Sequence, residues 1–314
     1  MIRTDHGGSQ EGGVGVYCFR TGSQNGNSGI RVAMRINPDK CVACGNCTYV
    51  CPMGAIYIDP GIKRATIDRN ECVECYSCFH GMSQEHLNPT LVRTLRRIFQ
   101  MMRLRFDPEP DVCPTAAFEP DELAWPRVVR RAFSDPRVPH ESTGVQGRGT
   151  EEVKTNDVSG RVKVGEVGFT IEFGRPGVGV WFHEIQKMTS ALARAGVAFE
   201  KKNPVTSLMS DVSTGALRED ILGEKILSAI VEIKVSAERT EEIIRLVREV
   251  EPQIDTVVSI GVGTRCDEHG EENVIGPVLE RLGYKLERAK TNLGLGRVSN
   301  PDQPGKEEAV GATR

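Results

Sequence analysis

Eight regularly spaced cysteines restrict this chain to very few folds. The first four follow the pattern Cys-x2-Cys-x2-Cys-x3-Cys and precede Pro52; they are Cys41, Cys44, Cys47 and Cys51. Two-residue gaps allow one tight turn to direct three thiolates at three corners of an iron–sulfur cubane, while the amides of the turn stabilise its negative charge. The fourth thiolate must then come from another part of the chain.

A second cysteine run repeats the first but is interrupted. Its first three positions recur 31 residues later, as Cys72, Cys75 and Cys78. Cys113 supplies the missing fourth position, because residues 113–118 (CPTAAF) closely match residues 51–56 (CPMGAI). The second run is therefore intact apart from 34 inserted residues, 79–112.

Over residues 31–125 this pattern resembles the bacterial ferredoxins that carry two [4Fe-4S] clusters. In that family the fourth cysteine of each run ligates the other cluster, and the resemblance implies the same cross-ligation here. Cluster 1 is expected on Cys41, Cys44, Cys47 and Cys113. Cluster 2 is expected on Cys72, Cys75, Cys78 and Cys51.

Two alternatives to this ligand assignment remain open. Cys-x2-Cys pairs also bind structural zinc, although tetrahedral zinc needs two pairs per site and not two triplets with Cys-Pro fourth positions. The insertion also allows a displaced Cys113, which would leave a three-cysteine cluster or a site for an exogenous fourth ligand. Full cysteine ligation would close each iron to substrate, which favours electron relay over chemistry at the cluster.

The insertion contains a predicted amphipathic helix. Asn88 is a suitable N-cap, with Pro89 at the first helical position and Asp107-Pro108 as a stop. Apolar residues recur at helical spacing: Leu91, Leu95, Ile98, Phe99, Met102 and Phe106. Arginines fill much of the remainder: Arg93, Arg96, Arg97, Arg103 and Arg105. This Arg93–Arg105 helix is interpreted as a solvated face over the cluster domain, with docking of an acidic redox partner and membrane-surface binding as alternatives.

The second half of the chain predicts two strand–helix–strand units. The first has strands at 167–173 and 197–200 around a helix at 182–195. The second has strands at 227–235 and 254–260 around a helix at 238–250. Together they predict a βαββαβ ferredoxin-like sandwich, which needs no iron and does not by itself define a function.

The predicted fold class is therefore α+β, with a two-[4Fe-4S] domain followed by the sandwich. The expected organisation is a disordered tail (1–30), the cluster domain (31–130, with the insertion at 79–112), a linker arm (131–160), the βαββαβ domain (161–298) and a second tail (299–314). The net charge of −3 gives no preference for nucleic acid. Because neither a secretory signal nor an apolar spanning run is recognised, we expect a cytoplasmic protein without a transmembrane segment.

Other candidate sites in the sequence are weaker. The glycine-bearing segments 174–179, 261–263 and 294–297 do not complete a nucleotide-binding fingerprint, and turns or strand ends explain them. Cys266 with His269 lacks further ligands, and Cys18 lies in the predicted tail, so no metal is expected at either place.

A second resemblance covers most of residues 31–298. Together with the cysteine region, residues 133–136, 147–152, 154–157 and 174–177 resemble the iron–sulfur portion of 6-hydroxynicotinate reductase-type proteins. That family is implied to reduce a heteroaromatic ring with low-potential electrons from ferredoxin, using a flavin in a further portion. This chain has no recognisable flavin-binding portion, so the resemblance implies an electron-transfer subunit or stand-alone relative whose partner holds the substrate.

The leading hypothesis is an electron-transfer protein or oxidoreductase subunit of anaerobic metabolism that exchanges single electrons with a flavoprotein reductase. One alternative is a reductase of 6-hydroxynicotinate or a related ring, with Arg148, Lys154 or Arg175 binding a carboxylate. Another is a regulatory module whose clusters sense oxygen or redox state. A catalytic site of its own is not expected under the leading hypothesis.

Overall fold

A computed structural model describes residues 34–82, 86–104, 112–139, 160–175, 177–266, 269, 271–272 and 274–284. All of these residues belong to one compact unit. Helices and strands are mixed along it, in agreement with the predicted α+β class. The predicted tails lie outside the described residues.

The cysteine-rich half contains two short two-stranded sheets and two very short helices. Strand β1 (Met34–Ile36) pairs antiparallel with β4 (Phe118–Pro120), and β2 (Ile56–Asp59) pairs antiparallel with β3 (Arg64–Ile67). Helix α1 (Asn46–Val50) begins between the second and third cysteines of the first run, and α2 (Ser77–His80) begins at the equivalent place in the second. The sequence repeat is therefore also a structural repeat.

Helix α3 (Pro89–Met101) lies in the insertion, and its predicted start is confirmed. The Asn88 side chain accepts hydrogen bonds from the amides of Thr90 and Leu91, at 2.9 and 3.3 Å, and Pro89 occupies the first helical position. Residues 105–111, which include Arg105, Phe106 and the predicted stop, lie outside the described residues.

The orientation of α3 differs from the interpretation of its arginines as a solvated face. Leu91, Ile98 and Met102 are exposed by 57%, 46% and 62%, whereas Val92 is 2% exposed. Arg93 and Arg96 instead face the protein and donate hydrogen bonds to backbone carbonyls of residues 38–43. The solvated-face interpretation is therefore wrong for these two arginines, because backbone carbonyls accept from their guanidinium groups on the inner side of the helix.

The second half is organised around a four-stranded antiparallel sheet. Its strands are β5 (Glu166–Phe173), β7 (Ala198–Phe199), β11 (Ala229–Ser236) and β12 (Val258–Thr264), in the spatial order β12-β5-β11-β7. The helices that follow the first and third of these strands are α5 (Phe182–Arg194) and α6 (Thr240–Val250). The second half also contains two separate two-stranded antiparallel sheets: β6 (Val180–Trp181) with β10 (Lys225–Ile226), and β8 (Met209–Asp211) with β9 (Ala216–Leu217). A last helix, α7, spans Gly276–Arg281.

The predicted strands and helices of this half are present with shifted ends. The alternating residues Val167, Phe169, Ile171 and Phe173 are all fully buried, as a strand packed on helices requires. The last strand begins at Val258 rather than 254, because a 3-10 turn at Glu251–Gln253, which contains Pro252, follows α6 directly. The connection between the two predicted units has structure of its own, since residues 206–226 form 3-10 turns and the short strands β8, β9 and β10.

Helix α4 (Val128–Ser134) connects the two halves. Val129 and Phe133 belong to the core of the second half, where the Phe133 and Phe182 rings pack edge to face with centroids 5.4 Å apart. The predicted linker, 131–160, begins inside this helix, and its residues 140–159 lie outside the described part of the chain. The domain boundaries stay a prediction.

A buried arginine on α4 links the cysteine-rich half to the second half. Nη1 of Arg130 donates to the carbonyls of Arg69, Asn70 and Cys72, at 3.2, 2.9 and 2.8 Å. Its Nε pairs with the carboxylate of Glu224 in the second half. Since Arg130 is only 3% exposed, this network ties a cysteine-bearing loop to the sheet domain in a water-poor environment.

Candidate metal centre

Each of two cavities in the cysteine-rich half is lined by four thiols. Cavity I has a volume of about 300 Å³, including space open to solvent, and is lined by Cys41, Cys44, Cys47 and Cys113. Cavity II measures about 390 Å³ on the same basis and is lined by Cys51, Cys72, Cys75 and Cys78. These are the two ligand sets that the ferredoxin resemblance implies, so each fourth cysteine lies with the three cysteines of the other run. That these thiols ligate clusters stays a prediction.

The insertion does not carry Cys113 away from its set. Cys113 is 7% exposed, and its sulfur accepts a hydrogen bond from the amide of Ala117 at 3.2 Å. The sulfur of Cys51 accepts the equivalent bond from Ala55 at 3.3 Å. The similarity of the two Cys-Pro segments therefore extends from sequence to sulfur hydrogen bonding.

Left-handed backbone conformations recur at equivalent places in both runs. Ala43 and Glu74 have φ of 55° and 56°, and Gly45 and Tyr76 have φ of 88° and 60°. A residue with a Cβ pays roughly 1–2 kcal/mol in this region. Such strain is retained where the loop geometry is needed, here to direct thiols and amides towards one cavity.

The donor set fits an iron–sulfur cluster chemically. Burial, followed by repulsion from Cys44, Cys41 and Cys113, raises the pKa of Cys47 to about 12. Burial, and then the charge of Glu74, raises the pKa of Cys72 to about 12. Since thiolates are the form that binds metal, these cysteines need a strong positive charge beside them to ionise, and the iron of a cluster would supply it.

The thiols of each set line the wall of one cavity. Within the described residues, no group of three or more His, Cys, Asp or Glu side chains is placed to hold a single metal ion. In a cubane each thiolate binds a different iron at a different corner, so four thiols lining one cavity suit that group.

Two charged features of the site were missed by the sequence reasoning. Glu74 lies inside the second cysteine triplet, is 1% exposed and pairs with Arg127, whose Nη2 is 2.6 Å from Oε1. Comparing the runs would have drawn attention to it, because the equivalent residue of the first run is Ala43. The inward direction of Arg93 and Arg96 has no comparable signal in the sequence.

The other sequence-predicted candidates do not form a second centre among the described residues. Cys266 is exposed, and Nη1 of Arg175 pairs with Glu172 at 3.2 Å. Segment 261–263 lies within β12. Cys18, Arg148, Lys154 and segment 294–297 lie outside the described residues.

One glycine segment contacts the cluster half. In the turn that contains Gly174, Gly177 and Gly179, a Cβ added at Gly179 would meet Cε of Met53 at 2.6 Å. Met53 lines cavity II, so the close approach of this turn brings the second half against that cavity. The segment therefore serves packing between the halves, as its interpretation as a turn allows.

In the part of the chain that the structure describes, no helix combines the length and apolar character required to cross a bilayer.

Comparison with known proteins identifies the cysteine-rich region. Residues 33–80 match the family model of the 4Fe-4S dicluster domain. Ferredoxin-1 of Rhodobacter capsulatus is 41% identical over 44 residues, and the ferredoxin-like protein in the vnf region of Azotobacter chroococcum mcd 1 is 43% identical over 44 residues. These matches cover 14% of this chain and 65% of each relative's length. No solved structure matches the chain. Residues 33–80 are therefore similar to ferredoxin-type 4Fe-4S dicluster domains.

Proposed function

We propose that this chain is an electron-transfer protein or subunit that binds two [4Fe-4S] clusters and exchanges single electrons with a partner reductase. Cluster 1 would be held by Cys41, Cys44, Cys47 and Cys113 at cavity I. Cluster 2 would be held by Cys51, Cys72, Cys75 and Cys78 at cavity II. The observation that carries the proposal is the presence of four thiols, from both runs, around each cavity.

The protein's own contribution is to hold and insulate the clusters. Bound [4Fe-4S] groups supply reversible one-electron storage. With four thiols per cavity, each iron of a bound cluster would have a cysteine ligand and none would be open to a substrate. Catalysis would therefore take place in the partner. The amides of Ala55 and Ala117 donate to ligand sulfurs, which stabilises the negative charge of the sites.

The finer proposal concerns the second half and the partner. The spatial order β12-β5-β11-β7, with all neighbours antiparallel, supports a βαββαβ ferredoxin-like sandwich fused to the cluster domain. The resemblance to 6-hydroxynicotinate reductase-type proteins supports a cytoplasmic role in anaerobic metabolism, with a flavoprotein reductase as the partner that reduces the ring substrate.

The first test is metal analysis of the full chain. After anaerobic reconstitution we expect about eight iron and eight sulfide per chain, and dithionite reduction should produce two magnetically interacting reduced cubanes by EPR. Zinc in place of iron, or about four iron, would contradict the two-cluster proposal. A flavin or ring compound bound to the purified chain would favour the reductase alternative.

The partner's docking face is proposed on the outer side of α3. Leu91, Ile98 and Met102 form an exposed apolar stripe along this helix, and Arg97 and Arg103 are exposed beside it. No acidic residue occurs between Leu87 and Leu104. This combination fits a redox protein whose binding face has an apolar centre and an acidic rim.

Docking on this stripe predicts a selective kinetic defect. An Ile98→Gln/Met102→Gln variant should reduce an acidic flavodoxin about tenfold more slowly under limiting concentration, because apolar contact is lost. Reduction of methyl viologen, which needs no docking, should not change. The matched control is Val212→Gln, an exposed apolar residue after β8.

Equal effects on both acceptors, or none on flavodoxin, would contradict docking at α3. A dimer in sedimentation that dissociates in the double variant would assign the stripe to a second copy of the chain instead.

A further inference from the structure

Helix α3 directs two guanidinium groups at the ligand loop of cavity I. Nη2 of Arg96 donates to the carbonyl of Ala43 at 3.4 Å, and Nη2 of Arg93 donates to the carbonyl of Cys41 at 3.1 Å. Both carbonyls belong to the first cysteine triplet.

Arg96 keeps an unused donor beside this loop. Its Nη1 is buried and makes no hydrogen bond within the described residues, and the same holds for Nε of Arg93. Neither arginine forms an ion pair with a carboxylate in the described part of the chain. A buried cationic donor without an acceptor is unfavourable, so the arrangement suits a site that carries negative charge when loaded.

Two cations near cavity II are arranged differently, because each has a carboxylate partner. Arg127 pairs with Glu74, whose Oε1 lies 2.6 Å from Nη2. Arg130, which donates to the Cys72 carbonyl, pairs with Glu224. Paired charges largely cancel at the distance of a cluster, whereas the charges of Arg93 and Arg96 do not.

We propose that Arg96 sets the order in which the two sites accept electrons, by raising the reduction potential of the site at cavity I above that at cavity II. A nearby positive charge stabilises the extra negative charge that one added electron brings, and a hydrogen bond to sulfur acts in the same direction. No bond is made or broken in this step; one electron arrives from the reductant. This inference rests on the proposed binding of two clusters.

The proposal assigns a function to the insertion. The family match ends at residue 80, and α3 follows it, so this source of charge lies outside the matched dicluster segment. The same helix carries the exposed Leu91, Ile98 and Met102 stripe on its other side. The site of higher potential would therefore lie under the proposed docking face.

The test is an EPR-monitored redox titration of the reconstituted full chain. Arg96→Gln is expected to lower the higher of the two midpoint potentials by the equivalent of about a tenfold change in the equilibrium constant, or 59 mV for one electron. The lower midpoint should stay unchanged. Arg96→Lys should restore most of the wild-type value, because it keeps the charge. Arg97→Gln, one position along the same helix but exposed, is the matched control and should change neither midpoint.

Equal shifts in Arg96→Gln and Arg97→Gln, no shift in either, or a shift of the lower midpoint would overturn the proposal. If those samples still contain about eight iron atoms per chain, the proposed binding of two clusters remains supported even though the inference about Arg96 fails. If Arg96→Gln fails to retain iron, the variant Glu74→Gln tests the proposal instead. It leaves Arg127 unpaired and should therefore raise the lower midpoint potential. An unchanged lower midpoint would overturn the charge-pairing argument.

Discussion

Replacing Cys113 with alanine is expected to halve the iron content of the reconstituted protein, from about eight to about four per chain. The thiol of Cys113 is buried in cavity I with three cysteines of the first run, and alanine leaves that cavity with three ligands. The remaining four iron atoms should belong to cavity II. EPR of the reduced variant should accordingly lose the interaction between two reduced clusters.

Cys51→Ala provides the complementary experiment. Although Cys51 belongs to the first run, it lines cavity II, so its loss should remove the cluster at the cavity lined by Cys72, Cys75 and Cys78. If each run instead bound its own cluster, Cys51→Ala would remove the site that contains Cys41. Single-cluster samples of the two variants can be distinguished by their EPR spectra and potentials.

The control for both variants is Cys266→Ala, which removes an exposed cysteine outside both cavities. It should retain the wild-type iron content. Full iron in Cys113→Ala would mean that three cysteines and an exogenous ligand suffice at cavity I, which is the alternative that the insertion left open. Complete loss of iron would mean that the two sites assemble only together.

The cysteine positions could be predicted because local chemistry fixes them. A Cys-x2-Cys-x2-Cys turn admits few backbone paths, and the Cys-Pro segment around Cys113 keeps the pattern of that around Cys51 across a long insertion. The alternation from Val167 to Phe173 likewise identified β5, because successive side chains of a strand point to opposite faces and every second one is apolar here. In both cases the pattern that makes the prediction lies within short stretches of sequence.

The direction of α3 could not be predicted in the same way. Hydrophobic periodicity locates the apolar side of a helix but does not specify what that side contacts. The inner side of α3 contacts the backbone carbonyls of residues 38–43, which accept hydrogen bonds from Arg93 and Arg96. These acceptors lie outside the helix, so the helix sequence does not predict the contact. The burial of Glu74 depends in the same way on a distant partner, Arg127.

Replacing Arg130 with methionine is expected to cause the largest loss of stability among the variants considered, about 3–5 kcal/mol, because it removes one partner of a buried ion pair. Glu224 loses its guanidinium partner, and the carbonyls of Arg69, Asn70 and Cys72 lose a shared donor. Since the Cys72 carbonyl belongs to a ligand loop, cavity II should lose iron before cavity I.

Urea unfolding of the reconstituted protein checks this, with cluster absorbance and far-ultraviolet circular dichroism followed together. Cluster proteins need not unfold in two states, so the measure is the shift of each midpoint relative to wild type.

Arg245→Met is the matched control: its side chain is 63% exposed and pairs with Glu241 one helical turn away, so its midpoints should hardly move. Removing both charges, as Arg130→Met/Glu224→Leu, should recover part of the loss, because no unpaired carboxylate remains. If Arg130→Met behaved like the control, α4 would not be what holds the cluster half on the sheet domain, and the contact of Gly179 with Met53 would have to carry that role.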